Sequence, residues 1–228
     1  MFKFPVKRGI PGFEMAKEQK IGRQKAVNEH KRELILDAAR AVFEAEGLEG
    51  ASLRAIAAGA GYTPAALYFH FESKEAIYAE VLRCSLENLG QAVARAVSRA
   101  KTPADRFRAA AMAFFRYYAD NPKDLDLGFY LFRGGIKPRG LGRERDDILN
   151  AALESALQPI GLAAQVLGAG REQSRSLMAD IFAHAAGLLL LANTGRIRMF
   201  GASAPHLMER FVAAQIVALT EKAEGVSP

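Results

Sequence analysis

One cysteine, Cys84, occurs in the chain, so neither an internal disulfide nor a thiolate cluster can form within it. Its thiol reads as a small buried hydrophobe, with a redox sensor or a metal ligand as the sharper alternative. The four histidines, at positions 30, 70, 184 and 206, lie far apart in sequence and suggest no metal site. No HExxH or GxSxG pattern, phosphate-binding GxxxxGKS/T loop or catalytic pair of carboxylates appears, which argues against an enzyme and implies no cofactor. Long apolar runs are missing as well. The uncharged stretch Ile181 to Gly195 has 15 residues and no uncharged stretch exceeds 17, against roughly 20 for a spanning helix. It reads as a buried helix, and no membrane partner is expected. The first thirty residues lack an apolar run followed by a small-residue cleavage site, so the chain is expected in the cytoplasm. Alternating strand patterns are absent too. Alanine, leucine and arginine at helical spacing dominate instead, which predicts an all-α protein.

What is present is 228 residues, half of them hydrophobic, enough for a small domain plus a larger second unit with its own core. The net charge of +6 is consistent with a polyanionic partner. Residues 1–33 carry nine basic and four acidic side chains. That surplus reads either as a solvated tail, disordered before about Glu14 because Pro5, Gly9, Pro11 and Gly12 break any early helix, or as a basic arm on DNA. A first helix follows, LILDAARAVFEAEG, with Ile35, Ala38, Ala39, Val42 and Phe43 on one face and Gly47 and Gly50 bracketing the next turn.

The stretch from Ser52 to Glu80 is the most informative. Ser52 can cap a helix that buries Leu53, Ile56 and Ala57, and Gly61 suits the left-handed residue that ends it. Thr63 then caps a second helix, with Pro64 at its first position. Leu67 and Phe71 face inward, leaving Thr63, Pro64, Ala65, Ala66, Tyr68, Phe69 and His70 on the surface. Ser73 caps a long helix to about Ala100. Lys74 in its first turn opposes the helix dipole, and a phosphate would explain that cation.

In this order and spacing, the helix LILDAARAVFEAEG, Ser52-Leu53-Arg54-Ala55-Ile56-Ala57, Ala60-Gly61, Leu67-Tyr68-Phe69-His70-Phe71 and Ser73-Lys74-Glu75 resemble the TetR family of bacterial transcriptional regulators over residues 30–83. Two positions depart from the family pattern. Gly59 stands where a longer residue is usual, at a cost of about 1 kcal/mol of helix propensity against alanine. Tyr62 replaces a small aliphatic and could alter groove contacts or helix packing. The resemblance implies that Thr63, Pro64, Ala65 and Tyr68 face base edges, and that Arg54, Ala66 through its backbone, Phe69, His70 and Lys74 lie near phosphates.

Beyond residue 100 the pattern is less specific. A helix from Pro103 to Asp120 places Phe107, Ala111, Phe114 and Tyr118 on one face, and Leu125 to Phe132 adds Phe129. These side chains read as core or as an apolar cavity for an aromatic or greasy effector, oriented by Tyr118, Arg133 or His184. The glycine- and cation-rich segment Arg133 to Arg143 reads as a loop. Met178, Phe182, Ala185 and Leu189 form one stripe, flanked by small Ala179, Ala183, Ala186 and Gly187; Met208, Phe211, Val212, Gln215 and Leu219 form another. These stripes either close the chain's own core or build a two-fold four-helix bundle, and the resemblance implies the homodimer.

The organisation that follows is a partly disordered basic arm at 1–27, a three-helix helix-turn-helix domain at 28–80, a helical effector-binding and dimerisation domain at 81–222 and a flexible tail at 223–228. The implied function is a ligand-responsive repressor that binds an operator in double-stranded DNA. A ligand-blind dimeric DNA binder and a helical-bundle carrier or enzyme are the alternatives.

Overall fold

The computed structural model describes the backbone of residues 11–129 and 141–224, and the side chains of 22–129 and 141–221. The described residues form helices joined by turns. They fall into two compact units, Met1–Ile77 and Tyr78–Pro228.

In the first unit, α1 (Pro11–Gly50) starts well before Leu34, with a proline at a position that needs no N–H donor. Its side chains from Gly22 to His30 are exposed. Gly47 breaks it with φ 66° and ψ 175°, a backbone region open essentially to glycine. Ile35, Ala39 and Phe43 are buried, whereas Ala38 and Val42 stay half-buried at the edge of the stripe. α2 (Leu53–Ala60) packs on α1 through Ile56 and Ala57. The departure at Gly59 has a packing reason: a Cβ there would lie 3.2 Å from the Cβ of Ala38 on α1. α3 (Pro64–Leu67) follows, and then α4 (Lys74–Ser98), within which the division between units falls.

The second unit is built around α5 (Pro103–Asp120), which packs on α6 (Pro122–Gly128), α7 (Arg143–Val166), α8 (Arg171–Asn193) and α9 (Ala204–Glu224). A short 3-10 helix, Arg196–Phe200, links the last two. Thr102 caps α5 by accepting from Asp105 N at 3.1 Å. Tyr78 Oη donates to the Leu127 carbonyl at 2.8 Å, and the single Tyr117 hydroxyl proton has Asp124 Oδ2 at 2.5 Å as its nearer acceptor and the Ser85 carbonyl at 3.1 Å as its second. These bonds tie the second-unit part of α4 to α5 and α6. Cys84 on α4 is half-buried rather than fully enclosed, with Arg83 Nη2 4.0 Å from its sulfur. By length and composition α8 could cross a membrane, with a window of mean hydropathy 1.4. Its Leu177, Ile181, Ala185, Leu188 and Leu189 are nevertheless buried within this unit. α9 runs to Glu224, two residues into the expected tail.

Candidate nucleic-acid interface

Local chemistry sets the geometry of the α2–α3 segment. Ser52 Oγ accepts from Ala55 N at 3.1 Å and opens α2. Gly61, at φ 73° and ψ 27°, closes it: its N–H donates to Ala58 O and that of Tyr62 to Ala57 O, a Schellman pair. Thr63 Oγ1 accepts from Ala66 N at 3.3 Å, so α3 begins at Pro64, three residues after that glycine. Its helical run is one turn only. The Leu67 carbonyl takes both His70 N and Phe71 N at 2.9 Å, which tightens the chain and places Tyr68, Phe69 and His70 in a turn rather than on a continuing helix. Phe71 is still carried inward. Leu67 and Phe71 are 0% and 5% exposed.

The surface left over carries Arg54, Thr63, Pro64, Ala65, Tyr68 and Phe69, all exposed, with Tyr62, Ala66, His70 and Lys74 half-buried beside them. Tyr68 and Phe69 stand out at 60% and 89% exposure.

Two cations take positions that the sequence pattern does not reveal. The Lys74 ammonium donates to the carbonyls of Glu49 and Ala51, at 3.2 and 3.0 Å, so the protein itself supplies the reason for a cation in that first turn. Arg32 Nη1 donates to the His70 carbonyl at 3.2 Å, and its guanidinium carbon sits 4.2 Å from the Phe71 ring centre. Neither contact has a local sequence signal, because the partners lie more than twenty residues away.

In the second unit, four of the residues expected to line an effector cavity, Phe107, Ala111, Phe114 and Tyr118, are part of the buried core. Phe107, Ala111 and Phe114 are fully buried and Tyr118 is 1% exposed, while Phe129 and His184 are half-buried. The four pack because α5 is surrounded. Phe114 and Tyr118 meet edge-on at 5.4 Å, Tyr118 and Phe129 at 5.7 Å, and Phe129 stacks on Phe182 at 5.1 Å. Burial pushes the Tyr118 hydroxyl well above its ordinary pKa. Arg133 lies outside the described residues. One open volume of this unit is a groove of about 740 Å³ on the other side of α5, lined by Ala92, Ala96, Ala109 and Ala113 together with charged residues that include Arg99, Arg116 and Glu209.

Much of the expected association stripes packs inside the chain. Ala185, Leu189, Met208, Val212 and Leu219 are buried within their own chain. Met178 packs on Gly161 of α7, and Phe182 joins the aromatic cluster. Gln215 is half-buried, as is Phe211, which stacks on His184 with ring centres 4.0 Å apart. Helical periodicity identified apolar faces but not what covers each. The uncovered face runs one step round, through Ala179, Ala183, Gly187 and Leu190 of α8 and Ala214, Val217 and Ala218 of α9. Among the described residues no group of three or more His, Cys, Asp or Glu side chains gathers to hold a metal ion.

Residues 35–81 match the family model described as bacterial regulatory proteins, tetR family. Over 89 residues the chain is 38% identical to the transcriptional repressor KstR2 of Mycobacterium tuberculosis, covering 39% of this chain and 44% of that one. Over 101 residues it is 36% identical to the transcriptional activator FasR of Mycolicibacterium smegmatis, covering 44% and 46%. The chain thus spans less than half the length of these relatives. A solved structure of the regulator FadR from Bacillus subtilis, in complex with stearoyl-CoA, is similar with a TM-score of 0.61 at 16% identity, over 80% of this chain and 96% of that one. That likeness shows the all-helical fold.

Proposed function

Over residues 35–81 the chain belongs to the tetR family of bacterial regulatory proteins, and from that premise we propose that it is a DNA-binding transcriptional regulator. It acts in the cytoplasm as a homodimer and leaves its operator when a small molecule binds the second unit. The observation that carries the reading is the exposed face of α2 and α3. Arg54, Thr63, Pro64, Ala65 and Tyr68 are presented together because Leu67 and Phe71 anchor the segment from beneath. Thr63, Pro64 and Ala65 open α3 and meet base edges and thymine methyls; Tyr68 reads alongside them. Arg54, Phe69, His70 and the Ala66 backbone lie towards the phosphates.

A reader of two half-sites needs two copies, and the uncovered face of α8 and α9 supplies an association surface of small and apolar residues. The effector is an apolar or aromatic molecule, a class supported by the acyl-CoA bound to FadR. The groove lined by α4 and α5 offers one open volume for it, with alanines for an apolar body and Arg99 and Arg116 among the charged residues around them. Repression is the expected sign, although KstR2 is a repressor and FasR an activator.

The test is binding of the purified protein, with nonspecific competitor at physiological salt, to DNA flanking its own coding region and to duplexes selected from a random pool. Competitor-resistant binding with dimer stoichiometry is the expected result. Recovery of no preferred duplex from the pool would overturn the reading.

A further inference from the structure

A cleft of about 550 Å³ opens in the first unit between α1 and the turn after α3, lined by Gln24, Lys25, Asn28, Glu29, Arg32 and the Phe69–His70 segment. Gln24 and Asn28 stand one helical turn apart, and Gln24 Nε2 donates to Asn28 Oδ1 at 3.2 Å. That single bond leaves both amides with further N–H donors. Lys25 and Glu29 face each other at 3.9 Å, with 76% and 63% of their side chains exposed, a pair weak enough to exchange for a stronger anion. Phe69 forms the opposite wall. The fold gives it no packing role at 89% exposure, yet its position is fixed, because Arg32 holds the neighbouring His70 carbonyl and covers the Phe71 ring.

We propose that this cleft seats the sugar-phosphate backbone of one DNA strand, so that α1 becomes a second contact element beside α2 and α3. The inference rests on the DNA-binding reading above. An element in the major groove has a backbone ridge on each flank, and Phe69 directly follows Tyr68 of the reading face. The chemistry of the cleft matches such a ridge. The Lys25 ammonium and the Gln24 and Asn28 amides donate to phosphate oxygens, while the Phe69 ring lies against the apolar face of a deoxyribose. One carboxylate, Glu29, lines the cleft, and a phosphate arriving at Lys25 displaces it.

The experiment uses the full-length protein and the duplex it selects from a random pool. Salt-dependent affinity and hydroxyl-radical footprints are recorded for the wild type, Lys25→Ala, the double variant Gln24→Ala with Asn28→Ala, Phe69→Ala and, as a control of the reading face, Thr63→Ala. All these positions are exposed, and matching thermal melts verify the fold. Lys25→Ala is expected to lower the salt slope by about one unit per half-site. The double variant and Phe69→Ala are expected to weaken every duplex roughly tenfold and to remove protection at one flanking position per half-site, with the selected sequence unchanged. Unchanged slopes and footprints in these variants, while Thr63→Ala alters the preferred sequence, would overturn the cleft proposal and leave the regulator reading standing. A wild type that selects no duplex overturns both.

Discussion

The Lys74 ammonium, in the first turn of α4, lies 3.0 Å from the carbonyl oxygen of Ala51 and 3.2 Å from that of Glu49, and so closes the far side of the bend at Gly47. A cation there opposes the α4 dipole and donates to carbonyls at and just beyond the end of α1. Replacing Lys74 by methionine is expected to destabilise the first unit by about 1.5–3 kcal/mol, the range for hydrogen bonds that involve a charged group. Urea unfolding followed by circular dichroism measures this. Wild-type stability with a salt slope of DNA binding about one unit lower would instead return Lys74 to the phosphate role that the sequence suggests.

Gly61 sits at φ 73° with nothing within 4 Å of where a Cβ would be. Gly61→Ala therefore meets no steric neighbour and carries only the backbone cost of a left-handed L-residue, about 1–2 kcal/mol. A melting temperature equal to wild type would mean that the turn relaxes out of that conformation.

His184 gives the second unit a pH dependence. Its Nε2 is buried with no hydrogen-bond partner, and burial holds its pKa below the ordinary histidine value, the Leu207 backbone pulling more weakly the other way. The fold thus favours the neutral ring. This contribution is fully present above the unfolded value of about 6.5 and is lost as pH falls towards and below the folded pKa. The melting temperature is expected to drop more between pH 7.5 and 5.5 for the wild type than for His184→Phe. Equal drops in the two proteins would refute the assignment.

On the proposed homodimer, the uncovered α8 and α9 face predicts which substitutions separate the subunits. Ala183→Glu together with Val217→Glu places charge on exposed positions, so each chain keeps its own core while association is lost. Sedimentation velocity is expected to shift from dimer to monomer with helical content retained. A variant that stays dimeric would move the interface elsewhere. Val212→Ala is the contrasting case: Val212 is fully buried, and its truncation is expected to lower stability by about 1–3 kcal/mol through the cavity it leaves.

The features legible in the sequence are those whose cause is local. Ser52, Thr63, Ser73 and Gly61 announce their caps because each acts on a residue three or four positions away. Leu67 and Phe71 are readable from spacing alone. The clamp of Arg32 on His70 spans 38 residues and leaves no periodic trace, so Arg32 counted only as one more charge in a basic arm. The same limit applies to Gly59, whose close approach to Ala38 concerns a second helix. On α8, apolar residues occur nearly all round, and a stripe of Met178, Phe182, Ala185 and Leu189 looks as suited to a partner as the neighbouring one. Which stripe is buried depends on how α5, α7 and α9 surround the helix. Phe107 and Phe114 pose the same problem, since a core face and a cavity face share a composition.

Cys84 is the sole thiol of the sequence and is half-buried on α4. A thiol-reactive spin label therefore has a single address per chain, with no other residue to remove beforehand. In an assembly of two chains the labels form one pair, and one pair returns one interspin distance. Followed with and without added compounds, that distance reports whether the two α4 helices move, a ruler already present in the wild-type sequence.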